Sequence, residues 1–148
     1  MLQIPIFEVL TKGTLNDFLN ISILGISNLY GKPEDIEVCD SSKSIFYHYK
    51  DVRISFIEDI SNEVVLYFYN RKNEYVFDFE NESVRISDNY LINQMLSLLN
   101  KLNTEWKVVK DEFGPDYFSI KIHDCVNIMY DLESGKLDRI SISSKKVV

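Results

Sequence analysis

Two stretches of this chain alternate apolar and polar residues with a period of two, and one helical stripe separates them. A strand turns successive side chains to opposite faces, so such alternation predicts sheets with one buried face. Val52, Ile54 and Phe56 alternate with Arg53, Ser55 and Ile57, and Val64, Leu66 and Phe68 alternate with Val65, Tyr67 and Tyr69. Phe46 to Tyr49 supplies the strand before them. Glu58 to Asn62 and Asn70 to Asn73 are polar turns, the second leading to a strand at Tyr75 to Phe79. Beyond the stripe, strands are expected over Trp106 to Lys110, Tyr117 to His123, Val126 to Leu132 and Leu137 to Ser143, with Ser134-Gly135 as a hairpin turn.

The stripe itself, Asn89 to Leu102, predicts a helix capped by Ser87 or Asp88, with Leu91, Ile92, Met95, Leu96, Leu98, Leu99 and Leu102 on its apolar side. Nearer the start, Thr14 to Asn20 predicts a short helix with Thr14 as N-cap. Ile21 to Tyr30 predicts another, stopped by Gly31 and Pro33. Residues 32 to 44 read as a loop or a short edge strand.

Val52-Arg53-Ile54-Ser55-Phe56 aligns with Val126-Asn127-Ile128-Met129-Tyr130, and the same spacing brings Leu66 onto Ile140 and Phe68 onto Ile142. His48 falls close to His123, with Cys125 as an inserted residue. The expected fold is therefore α+β. It has two similar halves, each of one or two helices packed on an antiparallel sheet of three or four strands. The whole of 1–148 forms a single domain with an internal pseudo-repeat of about 14–80 and 88–144, because a half of roughly 70 residues buries too little core alone.

The formal net charge is −7, and the longest basic cluster is Lys145-Lys146. Nucleic-acid binding normally shows a basic patch, so no nucleic-acid partner is expected. No run of 18 apolar residues occurs, so no membrane partner is expected either. Cys39 and Cys125 do not make a disulfide framework, and Met1 to Lys12 makes a poor signal peptide, so a cytoplasmic location is expected.

Chemistry-bearing clusters are sparse. His48 and His123 would need to converge to form an acid–base pair or a metal site; the simpler reading places them on polar strand faces. Asp78 and Glu80, two apart on an expected strand, share a face and could form a paired carboxylate, though solvated edge charges read the same way. Glu34-Asp35, Glu58-Asp59 and Asp111-Glu112 are further acidic pairs. The glycines form no phosphate-cradling loop, and Cys125 has no activating context. No catalytic residue, metal site or cofactor is expected, and the chain reads as a non-enzyme.

What stands out is the sheet face opposite the helices. It carries Phe46, His48, Arg53, Ser55, Ile57, Val65, Tyr67 and Tyr69 in the first half. In the second half it carries Ser119, Lys121, His123, Asn127, Met129, Asp131, Arg139 and Ser141. Tyrosine, arginine, histidine and methionine are residues that build protein-binding surfaces.

The segment Leu29-Tyr30-Gly31-Lys32-Pro33-Glu34-Asp35-Ile36, followed by Tyr47-x-Tyr49-x-Asp51-Val52-x-Ile54-x-Phe56, resembles small bacterial immunity proteins of contact-dependent and polymorphic toxin systems. The tandem helix-plus-strands unit is similar to the beta-lactamase inhibitory protein and to small outer-membrane assembly lipoproteins. The resemblance implies a non-enzymatic protein that binds and neutralises a cognate protein toxin, a basic nuclease being one suitable target for an acidic inhibitor. The expected binding residues are Phe46, His48, Arg53, Tyr67 and Tyr69, surrounded by carboxylates such as Asp78 and Glu80. The alternative is a structural or assembly module that binds a resident bacterial protein. The oligomeric state is not read from the sequence.

Overall fold

A computed structural model describes residues 2–110 and 113–144; Asp111-Glu112 and Lys145-Lys146 lie outside the described residues. The fold is α+β. Helices α1 (Ile6–Lys12) and α2 (Ile23–Tyr30) precede strands β1 (Asp35–Cys39), β2 (Ser44–Tyr49), β3 (Val52–Ile57) and β4 (Ile60–Tyr67). A hairpin of β5 (Tyr75–Phe79) and β6 (Glu82–Ile86) follows. Then come α3 (Ile92–Lys101) and strands β7 (Trp106–Val109), β8 (Tyr117–Ile122), β9 (Val126–Asp131) and β10 (Leu137–Ser143).

Eight strands form one antiparallel sheet in the order β1-β2-β3-β4-β10-β9-β8-β7. Chain order thus runs inward from each edge to a central β4–β10 pair, where Leu66 lies across from Ile140 and Val64 across from Ile142. One face of this sheet is the core. Val52, Ile54, Phe56, Val64, Leu66, Ile120, Ile128, Ile140 and Ile142 cluster there with Val9 and Leu10 of α1, Ile26 of α2, and Met95 and Leu99 of α3. The β5–β6 hairpin joins the helices over that face: Tyr75 stacks edge-on against Phe68 at 5.7 Å, and Phe77 meets Phe7 at 5.4 Å.

Local chemistry explains the element ends. Ser22 caps α2, its hydroxyl accepting from the Gly25 N–H at 3.0 Å, and Gly31 ends it. At α3 the Gln94 side chain accepts from the Leu91 N–H at 2.8 Å, half of a capping box. Gly13 closes α1 at φ 65, where a Cβ would come within 2.5 Å of the His123 Cβ, so glycine is required there both for its backbone angle and for its size.

Several expectations need correction. Thr14 to Asn20 is a turn, and the helix in this region is α1, which lies earlier. With Pro5 before it and just under two turns of helix, α1 gives too short a period to recognise. Strand β5 does not extend the first half's sheet. It pairs with β6 alone, Phe77 across from Val84. The ladders also refine the alignment between the two stretches. Val52 pairs with Leu66, whereas Val126 pairs with Ile142, two positions beyond the residue that constant spacing selects. The longer β9–β10 connection absorbs the difference.

Candidate functional site

The face of the large sheet that carries no helix is the candidate site. Its rows follow from the ladders. One row runs Asp35, His48, Arg53, Val65, Ser141, Asn127, Lys121 and Lys107; a neighbouring row holds Tyr67, Arg139, Met129 and Ser119. Val65 and Met129 are buried yet stand outside the core cluster beneath the helices. Together with buried Ser55, Ser119 and Ser141 they form the floor of this face.

Arginines and aromatic rings rise around this floor. The Arg53 guanidinium lies 4.9 Å over the Phe46 ring and donates to Glu63 at 2.9 Å. Tyr67 receives two cations on its ring, Arg71 at 4.9 Å and Arg139 at 5.4 Å, and Arg139 also stands 5.9 Å over Tyr117. A cation held over a ring keeps its charge while covering apolar area, and pairs of this kind are partly desolvated before any partner arrives. Asp138 hydrogen-bonds Arg139 and fixes its position. His48 Nε2 sits 2.8 Å from Glu37 at the β1 edge. Three buried polar atoms on this face, Arg53 Nε, Ser55 Oγ and Asn127 Oδ1, have no hydrogen-bond partner among the described residues.

Of the residues expected to bind a partner, Phe46, His48, Arg53 and Tyr67 share this face. Tyr69 lies just past the end of β4 and is exposed. Asp78 and Glu80 do not join them. Asp78 is on β5, in the helical layer on the other side of the sheet. Glu80 is not in the strand at all: it takes φ 50 in the two-residue β5–β6 turn, with Asn81 at φ 65, the left-handed pair that such a turn demands. Carboxylates on or beside the face are Asp35, Glu37, Glu63 and Asp131, with Asp138 against Arg139.

The two histidines are also far apart. His48 lies on β2, paired with Arg53, while His123 lies in the β8–β9 turn at φ 54. Four strand spacings separate β2 from β9, roughly 19 Å, so the two rings cannot share a proton or a metal ion. His123 Nε2 instead meets the Leu10 carbonyl at 2.9 Å, tying the turn to the end of α1. It borders a cleft of about 490 Å³ with Trp106, Lys107 and Lys121. A wider cleft of about 700 Å³ lies at one end of the sheet, lined by Tyr30, Tyr49, Tyr75, Lys50, Asp51 and Glu74, with both charge signs represented. Among the described residues no group of three or more His, Cys, Asp and Glu is placed to hold a metal ion, and no helix is long and apolar enough to cross a membrane.

Sequence reading missed Tyr117 and Arg71 as members of the face. Tyr117 was legible, standing two residues before Ser119 on the same strand. Arg71 was not: it follows β4 and reaches Tyr67 only because the loop folds back, donating to the Lys50 carbonyl and to Asp51 at 3.2 Å.

No protein-family model matches the chain, and no curated protein does. Among solved structures it is similar to a cysteine-rich secretory protein from Staphylococcus aureus subsp. aureus Mu50, with a TM-score of 0.40 and 13% identity over 86% of this chain and 45% of that one. The chain thus spans less than half the length of that protein, and a likeness of this degree carries nothing about function.

Proposed function

We propose that the open sheet face is a protein-docking surface, and that the protein is a non-enzymatic immunity protein that binds and neutralises a cognate bacterial toxin in the cytoplasm. One observation carries the docking reading. Arginines stacked on Phe46, Tyr67 and Tyr117 stand on a face that no helix covers, around a floor of Val65, Met129 and buried serines. Arginine and tyrosine are the residues on which protein interfaces concentrate their energy, and a cation already stacked on a ring is partly desolvated before a partner arrives. The toxin assignment rests on the sequence resemblance and on the net charge of −7, which favours encounter with a basic partner.

The reading of two similar halves belongs to the same proposal. It is supported by the sheet order, in which β1 to β4 and β7 to β10 each run from an edge to the centre, and by the placing of α2 and α3 before each set of four strands.

Co-expression with the toxin encoded beside it tests the function: growth is restored and the two proteins co-purify. If neither occurs, the immunity reading falls. Stoichiometric capture of a resident protein through the same face would replace it with the assembly-module reading.

A further inference from the structure

The two edges of the large sheet are complementary to each other. We propose that copies of this chain associate head to tail, β1 of one pairing antiparallel with β7 of the next to continue the sheet. This goes beyond the docking role of the open face and leaves that face clear.

Each neighbouring pair among the eight strands is antiparallel, so seven reversals separate β1 from β7 and the two edges run in opposite directions. A second copy moved sideways across the sheet therefore brings its β7 antiparallel to β1, with its helices on the same side. Among the described residues β1 pairs only with β2, and β7 only with β8. Among the described residues, no further backbone hydrogen bond ends on either strand, so the outer N–H and C=O groups of both are open to pairing.

The side chains match in one register. Setting Glu37 opposite Lys107 sets Ile36 opposite Val108 and Val38 opposite Trp106. Glu37 and Lys107 both belong to rows of the open face, whereas Ile36 and Val108 both continue core-face rows, through Tyr47 and Ile120 respectively. Three of the four apolar members are bare in the isolated chain, Ile36 being 47% exposed, Val38 64% and Val108 41%, while Trp106 is half-buried. Both charges are free to repartner. Glu37 holds His48 with 62% of its side chain exposed, and Lys107 holds Asp124 loosely, at 3.8 Å and 66% exposure.

Self-pairing of like edges is disfavoured. Joining β1 to β1 sets Asp35 and Glu37 among their own copies, and joining β7 to β7 does the same with Lys107. The charges that guard each edge against its own kind thus select the other edge. A head-to-tail contact of this sort propagates into a chain or closes into a ring.

Sedimentation of the whole protein at up to about 1 mM, in low and high salt, tests this. The expected result is concentration-dependent association that weakens in high salt. Glu37→Lys alone and Lys107→Glu alone abolish it, and an equimolar mixture of the two variants, or the double variant, restores it. Both substitutions are at exposed positions, so the variants fold. A monomer at every concentration overturns the proposal. So does association that survives the single substitutions or is not restored by the charge exchange, since either outcome places the contact elsewhere.

Discussion

The two faces of the large sheet are made by the same strands, one residue out of step. Phe68 and Leu66 face the helices and are fully buried, while Tyr67 between them faces outward and is half-buried under two arginines. The covered face is apolar apart from Ser61, whose hydroxyl accepts from the Ile21 N–H, and it interlocks with three helices and a hairpin. The open face buries mainly small residues and keeps its large aromatic side chains upright. The difference separates two tasks: the first face makes the fold stable, and the second can carry polar atoms without partners because the first has already secured the structure.

The largest test of that division is Phe68→Ala. Removing a fully buried ring from the covered face is expected to cost about 3–5 kcal/mol in urea unfolding. A loss below about 1 kcal/mol would show that the covered face is not the seat of stability. Next comes its neighbour. Tyr67→Ala is expected to lower folding stability by about 1 kcal/mol or less. The same change is expected to weaken partner binding by about 2 kcal/mol or more, measured by calorimetry on the captured partner. Equal effects on folding and binding would erase the distinction between the faces.

Ser55→Ala should have a smaller effect of the opposite sign. Its buried hydroxyl has no partner among the described residues, so its removal is expected to leave the protein as stable or more stable by up to about 1 kcal/mol in urea unfolding. A clear loss of stability in the free protein would mean that the hydroxyl is already satisfied. The smallest effect concerns reactivity. Hydrogen bonds from Ser41, then Ser42, bring the Cys39 thiol down to about 7. Alkylation by iodoacetamide is thus expected to rise with pH through a midpoint near 7 and to level off above it, as the thiolate becomes the main form. Cys125 is buried on the helical side, its thiol donating to the Gly13 carbonyl at 3.3 Å, and is expected to react only on unfolding. Equal rates at the two cysteines would contradict the difference in their surroundings.

Much of this arrangement is legible in the amino-acid sequence. The alternation at Val52 to Ile57 and Val64 to Tyr67 sorts residues onto the right faces, and four of the seven expected binding residues share the open one. The failures have a common cause. Asp78 lies on a strand with sound alternation, but nothing in its own segment says that this strand pairs with β6 and leaves the large sheet. The pairing of β4 with β10 joins segments about 75 residues apart and has no local signature either. The strand expected over Tyr117 to His123 ends one residue earlier, at Ile122, and that single residue puts His123 in a turn rather than on a sheet face.

The sequence by itself determined the period of each segment, the turns where left-handed residues cluster, and hence which side chains share a face. Those properties depend on neighbours a few residues away. Only the tertiary structure decided which strands meet, which face the helices cover, and that the strand with Asp35 and Glu37 lies at one edge of the sheet and the strand with Lys107 at the other. Those depend on contacts between distant segments, where the gain from burial across the whole sheet overrides any local preference.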